Sequence, residues 1–255
     1  MTTKPYMDQM GREVRVQGVP KRIVSLVPSQ TELLVDLGLE QQLVGVTKFC
    51  VHPSGLRQKK AIIGGTKHFR FEVIDQLEPD LIIGNKEENY KEGIERLVAK
   101  YPVWMSDIFT LEDALEMMEG VGQLTGRNDM AKELVQEIGS RFRSGLEKKG
   151  TAVYLIWQGP YMAAGKKTFI HEMLAQAGFE NLIGQDRYPE VTLEEIRELV
   201  PDVIMLSSEP FPFQAKHARV LQKEFPRAKV MLVDGEMFSW YGSRLRLAMD
   251  YFKSL

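Results

Sequence analysis

The feature that most constrains this chain is an internal repeat with two copies. Residues 71–83 read FEVIDQLEPDLII and residues 193–205 read LEEIRELVPDVIM, so that six of thirteen positions are identical at an offset of 122 residues. A second echo lies upstream at an offset of 140, where the segments beginning at Glu32 and Glu172 share four residues. The difference between the two offsets indicates an extra loop in the first copy, between Gly45 and Phe71. Because a long period that occurs only twice is typical of duplicated domains and not of a solenoid, the chain is predicted to contain two related lobes.

Each copy alternates short apolar runs with helical patterns. In the first copy, the run over 23–27 is typical of a buried parallel strand, and the helix predicted over 31–37 ends at Gly38. The second copy repeats the alternation, from a strand over 152–157 to a strand over 229–233. Strands that alternate with helices of this length predict parallel sheets covered on both faces. The fold class is therefore predicted to be α/β, with two Rossmann-like lobes.

The residues between the copies are predicted to form a helical link. Apolar residues from Met130 to Leu146 recur at helical spacing over residues 129–148. A helix of about twenty residues is roughly 30 Å long, which suits one long backbone helix and not a flexible linker. The chain is thus divided into an N-terminal α/β lobe with a hairpin over 1–110, linking helices over 111–149 and a C-terminal α/β lobe over 150–255. We expect the helix to keep the lobes at nearly fixed distances.

Composition and charge exclude several classes of protein. The 33 Lys and Arg residues against 35 Asp and Glu residues give a net charge of −2, which argues against a nucleic-acid partner. A single cysteine, Cys50, rules out an intramolecular disulfide and any zinc site with several cysteines. The first twenty residues hold no apolar core of the kind a secretory signal needs, so the sequence predicts a cytoplasmic location if Met1 is the native start.

Ligands of open parallel sheets bind beyond the carboxyl ends of the strands, so two facing lobes predict a cleft that is lined by loops. Large amphipathic rings in such loops suit a bulky, partly apolar ligand, although about half of them are expected to belong to the core. The aromatic residues of these loops are Phe49, Tyr161, Tyr188, Phe211, Phe213, Phe238, Trp240 and Tyr241.

Catalytic and metal-binding patterns are weak in this sequence. The four histidines show no metal-ligand spacing, and the nucleophile-elbow, phosphate-loop and dinucleotide motifs are absent. Cys50 and His52 leave open a thiol–imidazole pair, but two residues apart in a loop say little about geometry. The prediction is that the chain is not an enzyme and holds no catalytic residue, resident metal or cofactor.

The repeat also pairs two acidic residues, Glu72 and Glu194. Each falls in the first turn of the equivalent helix of its lobe, so the two are expected to be placed symmetrically. One interpretation is that they interact with the helix dipole, and the other is that they dock onto a partner. For the neighbouring Glu195 the local interpretation is stronger, because Thr192-x-x-Glu195 fits a capping box.

Several longer runs resemble a known family. DQMGREVRVQGVPKRIVSLVPSQTELLVDLGL, LVGVT, IIGGTK, EVIDQLEPDLII, GKKTFIHEMLAQAGFENLIG and EEIRELVPDVIML are similar to the helical-backbone (class III) substrate-binding proteins of ABC importers. The resemblance covers nearly the whole chain. It implies two α/β lobes joined by one long helix, capture of cobalamin, ferric siderophores, haem or metal ions, and delivery to a membrane permease without any chemistry.

The cobalamin-binding branch of that family is the nearest. The resemblance implies a corrinoid receptor that acts as a monomer in the periplasm or at the membrane surface, with Glu72 and Glu194 docking onto permease arginines. Lys67 stands where that branch can carry a tryptophan. The ligand-binding residues implied in this way are Phe49, Lys67, Tyr161, Tyr188, Phe238, Trp240 and Arg244.

Two alternatives stay open at this point. Basic residues in the same loops, among them Lys48, Lys67 and Arg187, suit an anionic ferric siderophore or haem. A cytosolic protein that handles metals or corrinoids, or an enzyme on the same scaffold, is the second alternative, because a fold does not fix a function.

Overall fold

A computed structural model describes residues 3–255 of the chain, which divide into two compact units. The first unit contains the chain up to Ile108, Glu112–Gly139 and Tyr241–Arg244. The second unit contains Phe109–Leu111, Ser140–Trp240 and Leu245–Leu255. The predicted separate linking segment 111–149 is therefore divided, and most of its residues belong to the first unit.

The first unit is built on a five-stranded parallel sheet with the strand order β5-β4-β3-β8-β9. Two short antiparallel pairs, β1 with β2 and β6 with β7, accompany it. Its elements are β1 Thr3–Met7, β2 Glu13–Gln17, β3 Ile23–Ser25, α1 Pro28–Asp36, β4 Leu43–Val46, α2 Leu56–Lys59, β5 Ala61–Ile62, β6 Gly64–Gly65, β7 His68–Phe69, α3 Phe71–Leu77, β8 Leu81–Asn85, α4 Lys91–Val98, β9 Val103–Ser106, α5 Leu111–Thr125 and α6 Asn128–Phe142.

The second unit has its own five-stranded sheet with the order β11-β10-β13-β14, to which β12 adds by pairing with β10. All pairs in it are parallel except β10 with β11. Its elements are β10 Gly150–Trp157, β11 Met162–Ala163, α7 Phe169–Gln176, β12 Phe179–Asn181, α8 Leu193–Leu199, β13 Val203–Ser207, α9 Ala215–Glu224, β14 Lys229–Val233, α10 Gly235–Ser239 and α11 Leu245–Lys253. The predicted α/β fold with parallel sheets is confirmed.

The central strands are the most apolar and the most buried segments, as parallel strands covered on both faces must be. Every residue of β3, β8 and β13 is buried. Helix α1 starts with Pro28, whose fixed φ suits the first helical turn, and Gly38 follows its end at a φ of 72°. Helix α8 carries the predicted capping box, in which Glu195 N donates to Thr192 Oγ1 and Thr192 N donates to Glu195 Oε2.

The repeat is visible residue by residue in the two copies of the helix–strand unit. Asp80 accepts hydrogen bonds from the backbone N–H groups of Lys21 and Arg22, just before β3. Asp202 likewise accepts a hydrogen bond from the backbone N–H of Thr151, at the start of β10. Because both aspartates hold the start of the neighbouring strand, their identity in the repeat has a structural cause.

The helix predicted over residues 129–148 is shorter than expected. Helix α6 ends at Phe142, so its 15 residues span about 22 Å. Gly145 then adopts a φ of 58°, a left-handed conformation that does not continue an α-helix. Of the residues that the structure describes, none belongs to a helix that is both long and apolar enough to cross a membrane.

Candidate functional site at the carboxyl ends of the strands

Both units present the edge of their sheet at which ligands of α/β proteins bind. The first face is formed by the carboxyl ends of β3, β4, β8 and β9 and the residues that follow them. The second face is formed by the carboxyl ends of β10, β13 and β14 and the residues that follow them. The two faces have the same topological position but different chemistry.

Neutral amides and hydroxyls fill the centre of the first face. Ser106 Oγ accepts hydrogen bonds from Gln30 Nε2 at 2.7 Å and from Asn85 Nδ2 at 2.9 Å. Asn85 Oδ1 accepts from the backbone N–H of Glu87 at 2.8 Å, and Asn89 Oδ1 accepts from the backbone N–H of Asn85 at 2.9 Å. The three amide side chains and Ser106 are buried, so this network shapes the loops after β8 and β9.

Cys50 lies in a second buried group of the first face. Its Sγ is 3.1 Å from Thr31 Oγ1 and 3.3 Å from Thr47 Oγ1, and Thr31 Oγ1 also donates to Ser25 Oγ. Burial raises the pKa of the Cys50 thiol, against the opposing effect of these hydrogen bonds. A thiol that stays protonated is a weak nucleophile. The buried position of the Cys50 thiol beside two threonine hydroxyls therefore does not favour the thiol–imidazole interpretation.

The exposed rim of the first face carries two of the predicted ligand residues. The Phe49 side chain is 49% exposed, and Lys48 Nζ lies 5.0 Å from the centre of its ring. A Cβ built on Gly65 would lie 3.1 Å from Phe49 Cε2, so the glycine lets the ring lie close to the backbone. Lys67 is exposed, and its Nζ donates to the backbone oxygen of Glu87. Both side chains are accessible to a ligand.

Arg244 has a different place from the one predicted. Its guanidinium donates to both carboxylate oxygens of Glu32, at 2.6 and 2.9 Å, and its side chain is only 9% exposed. A Cβ built on Gly242 would lie 2.6 Å from the backbone oxygen of Ser29, so segment 241–244 lies directly against α1. Burial raises the pKa of Glu32, an effect that the bond to Arg244 opposes. The prediction of Arg244 as a ligand residue is corrected, because its charged group is committed to this buried ion pair.

Aromatic rings dominate the second face. Trp157 is the last residue of β10 and is 39% exposed, with its ring centre 5.6 Å from that of Phe211. Phe211 in turn lies 4.7 Å from buried Phe213 and 5.4 Å from His217. The sequence interpretation counted Trp157 as part of the strand and so missed it. A tryptophan at the last position of a strand was the available signal, because that position reaches the ligand edge.

Tyr161 and Tyr188 are half-buried members of the same face. Arg187 lies 5.7 Å from the ring centre of Tyr188 and 5.7 Å from that of Phe109, and it donates to the backbone oxygen of Lys167. Burial raises the pKa of Tyr161. Both tyrosines are thus only partly buried, and Tyr161 also packs against the hydrophobic core of its unit, while Arg187 contacts two aromatic rings.

Phe238 and Trp240 are buried, contrary to the prediction that they contact a ligand. Phe238 is fully buried, with its ring centre 5.0 Å from that of Tyr154 and 4.8 Å from that of Phe252. Trp240 is 7% exposed and donates through Nε1 to Glu209 Oε1 at 3.0 Å. Phe238 therefore belongs to the core, and Trp240 positions an acidic side chain that the sequence interpretation did not single out.

The acidic pair Glu72 and Glu194 lies outside the sheets, on the equivalent helices α3 and α8. Both residues are exposed in the first turns of α3 and α8. The Glu194 side chain is 77% exposed and forms a long ion pair with Arg197, at 3.6 Å. Both carboxylates are accessible to a partner protein, one in each unit.

Within the described part of the chain, no group of three or more histidine, cysteine or acidic side chains is arranged to hold a metal ion.

Comparisons with known proteins agree with this architecture. An uncharacterized ABC transporter substrate-binding lipoprotein of Bacillus subtilis is 26% identical over 212 residues, which cover 78% of this chain and 67% of the relative. A vitamin B12-binding protein of Photorhabdus laumondii is 25% identical over 239 residues, which cover 91% of this chain and 86% of the relative. The solved apo structure of the periplasmic heme-binding protein RhuT from Roseiflexus has a TM-score of 0.80 at 20% identity, covering 93% of this chain and 98% of that one.

The family assignment rests on a match over most of the chain. The family model described as periplasmic binding protein matches residues 23–226, from the start of β3 to just beyond α9. The α/β fold is that of class III periplasmic binding proteins, as the sequence resemblance implied. The chain therefore belongs to the periplasmic binding protein family.

Proposed function

We propose that this protein is the solute-binding receptor of an ABC importer and that its ligand is a corrinoid of the cobalamin type. The receptor acts as a monomer at the outer side of the membrane, holds the ligand against the carboxyl-end faces of its sheets and delivers it to a permease. The similarity to a substrate-binding lipoprotein supports the location and the permease partner. The similarity to a vitamin B12-binding protein supports the class of ligand.

The observation that carries this proposal is the aromatic character of the second face. Trp157 is exposed and Phe211, Tyr161 and Tyr188 are partly exposed, while Phe49 is exposed on the first face. Rings of this size provide large apolar contact area with few rotatable bonds, so little entropy is lost when a ligand binds. A corrin is a broad, mostly apolar ring system with polar amides at its periphery. Stacking on aromatic rings with a few polar contacts suits such a ligand.

Titration of the full chain with cyanocobalamin tests the proposal. We expect one ligand per chain in calorimetry and in absorbance titrations. Trp157→Ala and Phe49→Ala are each expected to weaken binding about tenfold, or about 1.4 kcal/mol. Leu247→Ala is the matched control, because Leu247 is 55% exposed on α11 and lies on neither face. Absence of binding at tens of micromolar would contradict the proposal.

A ferric siderophore or haem is the second candidate ligand. Lys48 and Lys67 are exposed on the first face, and such cations suit the carboxylates or other anionic groups of a ferric chelate. The similarity to a haem-binding protein at 20% identity shows the fold alone. Parallel titrations with haem and a ferric hydroxamate decide between the ligands. Tighter binding of either than of cyanocobalamin, reduced by Lys67→Ala, would favour this candidate.

Permease docking through Glu72 and Glu194 is the second part of the proposal. The two carboxylates occupy equivalent, exposed positions, which suits a partner with one cationic group for each unit. The double variant Glu72→Ala with Glu194→Ala is expected to weaken association with the permease in lipid vesicles and to leave ligand affinity unchanged. Glu92→Ala with Glu198→Ala is the control, because these two carboxylates are also exposed on helices of the two units. An equal effect of both double variants would contradict specific docking.

A further inference from the structure

Glu209 is an acidic side chain that the second face holds in a defined position. It follows β13 by two residues, and its Oε1 accepts hydrogen bonds from Ser239 Oγ at 2.8 Å and from Trp240 Nε1 at 3.0 Å. Its backbone N–H donates to Ser207 Oγ at 3.3 Å. The carboxyl group is therefore fixed by two side chains and by the end of the strand.

Gly235 supplies the space in which this side chain lies. A Cβ built on Gly235 would lie 2.6 Å from Glu209 Cγ and 2.5 Å from Ser207 Oγ, so any larger residue would collide with both. Gly235 begins α10, the short helix that also carries Ser239. The same helix thus leaves room for the Glu209 side chain and provides one of its two donors.

The charged neighbours of Glu209 are acidic and do not neutralise it. Burial raises its pKa, and the nearby carboxylates of Glu236 and Asp234 add to this effect, whereas the bonds from Ser239 and Trp240 oppose it. Among the described residues, no cation contributes to this balance or forms an ion pair with Glu209. An ionised carboxylate in such a place favours further hydrogen-bond donors and disfavours other anions.

The second carboxyl oxygen is the one available to a ligand. Both donors bind Oε1, and Oε2 accepts no hydrogen bond from the described residues. Gln158 Oε1, which follows β10, is buried and has no hydrogen-bond partner among the described residues. Glu209 Oε2 also has none, but it is not fully buried. A ligand that covers the second face would therefore meet one acceptor oxygen with a negative charge.

We propose that Glu209 is a specificity-determining residue, which accepts a hydrogen bond from a ligand carboxamide N–H and repels a ligand carboxylate at the same place. This inference rests on the proposed corrinoid-binding function and deepens it. A neutral amide gains a charge-assisted hydrogen bond to Oε2, while a carboxylate brings a second negative charge to within a few ångströms. Glu209 thus selects a fully amidated corrinoid against ligands with free carboxylates, such as haem or a hydrolysed corrinoid.

The test compares cyanocobalamin with its monocarboxylic acid isomers, in each of which one peripheral propionamide is hydrolysed. At pH 8, one isomer is expected to bind the protein at least tenfold more weakly than cyanocobalamin. The other isomers are expected to bind with affinities closer to that of cyanocobalamin. Glu209→Gln keeps an oxygen for Ser239 and Trp240 and removes the charge, so it is expected to reduce that preference to about twofold or less. Glu198→Gln, an exposed change on α8, is expected to leave the preference intact.

The outcomes separate this inference from the proposed function. If cyanocobalamin does not bind, the proposed function fails. If cyanocobalamin binds and all acid isomers bind equally well, or if the preference persists in Glu209→Gln, the role of Glu209 is overturned while the function stands. The comparison of isomers on the unmodified protein needs no variant, so equal binding of all isomers overturns the role of Glu209 even if Glu209→Gln does not fold.

Discussion

The first and second faces occupy the same place in two copies of one repeat, yet they differ in nearly every polar group. Asn85 ends β8 and Ser207 ends β13, at equivalent repeat positions. Asn85 belongs to a buried network of amides and hydroxyls, whereas Ser207, among the described residues, accepts only from Tyr154 Oη and from the backbone N–H of Glu209. The duplication thus retained the strands and the aspartates that hold them. The residues after the strands diverged, so that the first face has a buried polar network at its centre and the second face is aromatic and acidic.

The largest expected effect is a difference in stability between variants of the two equivalent strand ends, Asn85 and Ser207. Asn85→Ala removes a donor and an acceptor from a buried network, so we expect the free energy of unfolding to fall by about 3 kcal/mol. Ser207→Ala, its counterpart, is expected to cost about 1 kcal/mol because Ser207 receives two longer hydrogen bonds. Urea denaturation followed by tryptophan fluorescence measures both changes. Equal losses would contradict the view that the first face is the more tightly bonded one.

Glu209, the acidic residue of the second face, is expected to make the stability of the protein depend on pH. Burial raises the pKa of Glu209 above its value of about 4.5 in the unfolded chain, so its stabilising contribution is complete below that pH and is lost as the pH rises through the raised pKa. Glu209→Gln is therefore expected to raise the Tm by a few degrees at pH 8 and not at pH 4. Differential scanning calorimetry at the two pH values measures this difference, with Glu198→Gln as the exposed control. An equal change in Tm at both values would show that charge is not the cause.

The smallest effect concerns the residues that end the repeated helices. Glu78 after α3 and Val200 after α8 both adopt left-handed conformations, with φ values of 42° and 49°. This conformation costs about 1 kcal/mol or more in a residue with a Cβ, and a β-branched side chain suffers most. Because glycine loses more entropy on folding, Val200→Gly is expected to gain about 0.5 kcal/mol and Glu78→Gly close to nothing. Thermal unfolding of the two variants measures both changes. A larger gain in stability for Glu78→Gly than for Val200→Gly would contradict this explanation.

Local patterns predicted the backbone well. The apolar run over 23–27 and the helix predicted over 31–37 correspond to β3 and α1, because these signals act within a few residues. The hairpin predicted in the N-terminal lobe forms from β1 and β2. The loop between Gly45 and Phe71 contains α2, β5, β6 and β7, which are too short to leave a periodic pattern.

The chemistry of the faces was less predictable from the sequence. Gln30, Asn85 and Ser106 come together from distant parts of the chain, and no spacing signals such a network. Membership of a loop near a strand end does not fix where a side chain lies, so Phe238 and Arg244 were wrongly expected to face a ligand. The roles of Phe49, Lys67, Tyr161 and Tyr188 stay predictions, which the binding experiments test.

The ion pair between Glu32 and Arg244 has a consequence for folding during synthesis. The two residues are 212 positions apart, so a ribosome that adds about 5–20 residues per second releases Arg244 roughly 10–40 s after Glu32. During that interval the nascent first unit has neither the cation for Glu32 nor the segment that lies against α1. Although most of its residues are translated first, the first unit is completed only near the end of the chain, and a fragment cut at residue 110 or 140 would keep this gap permanently.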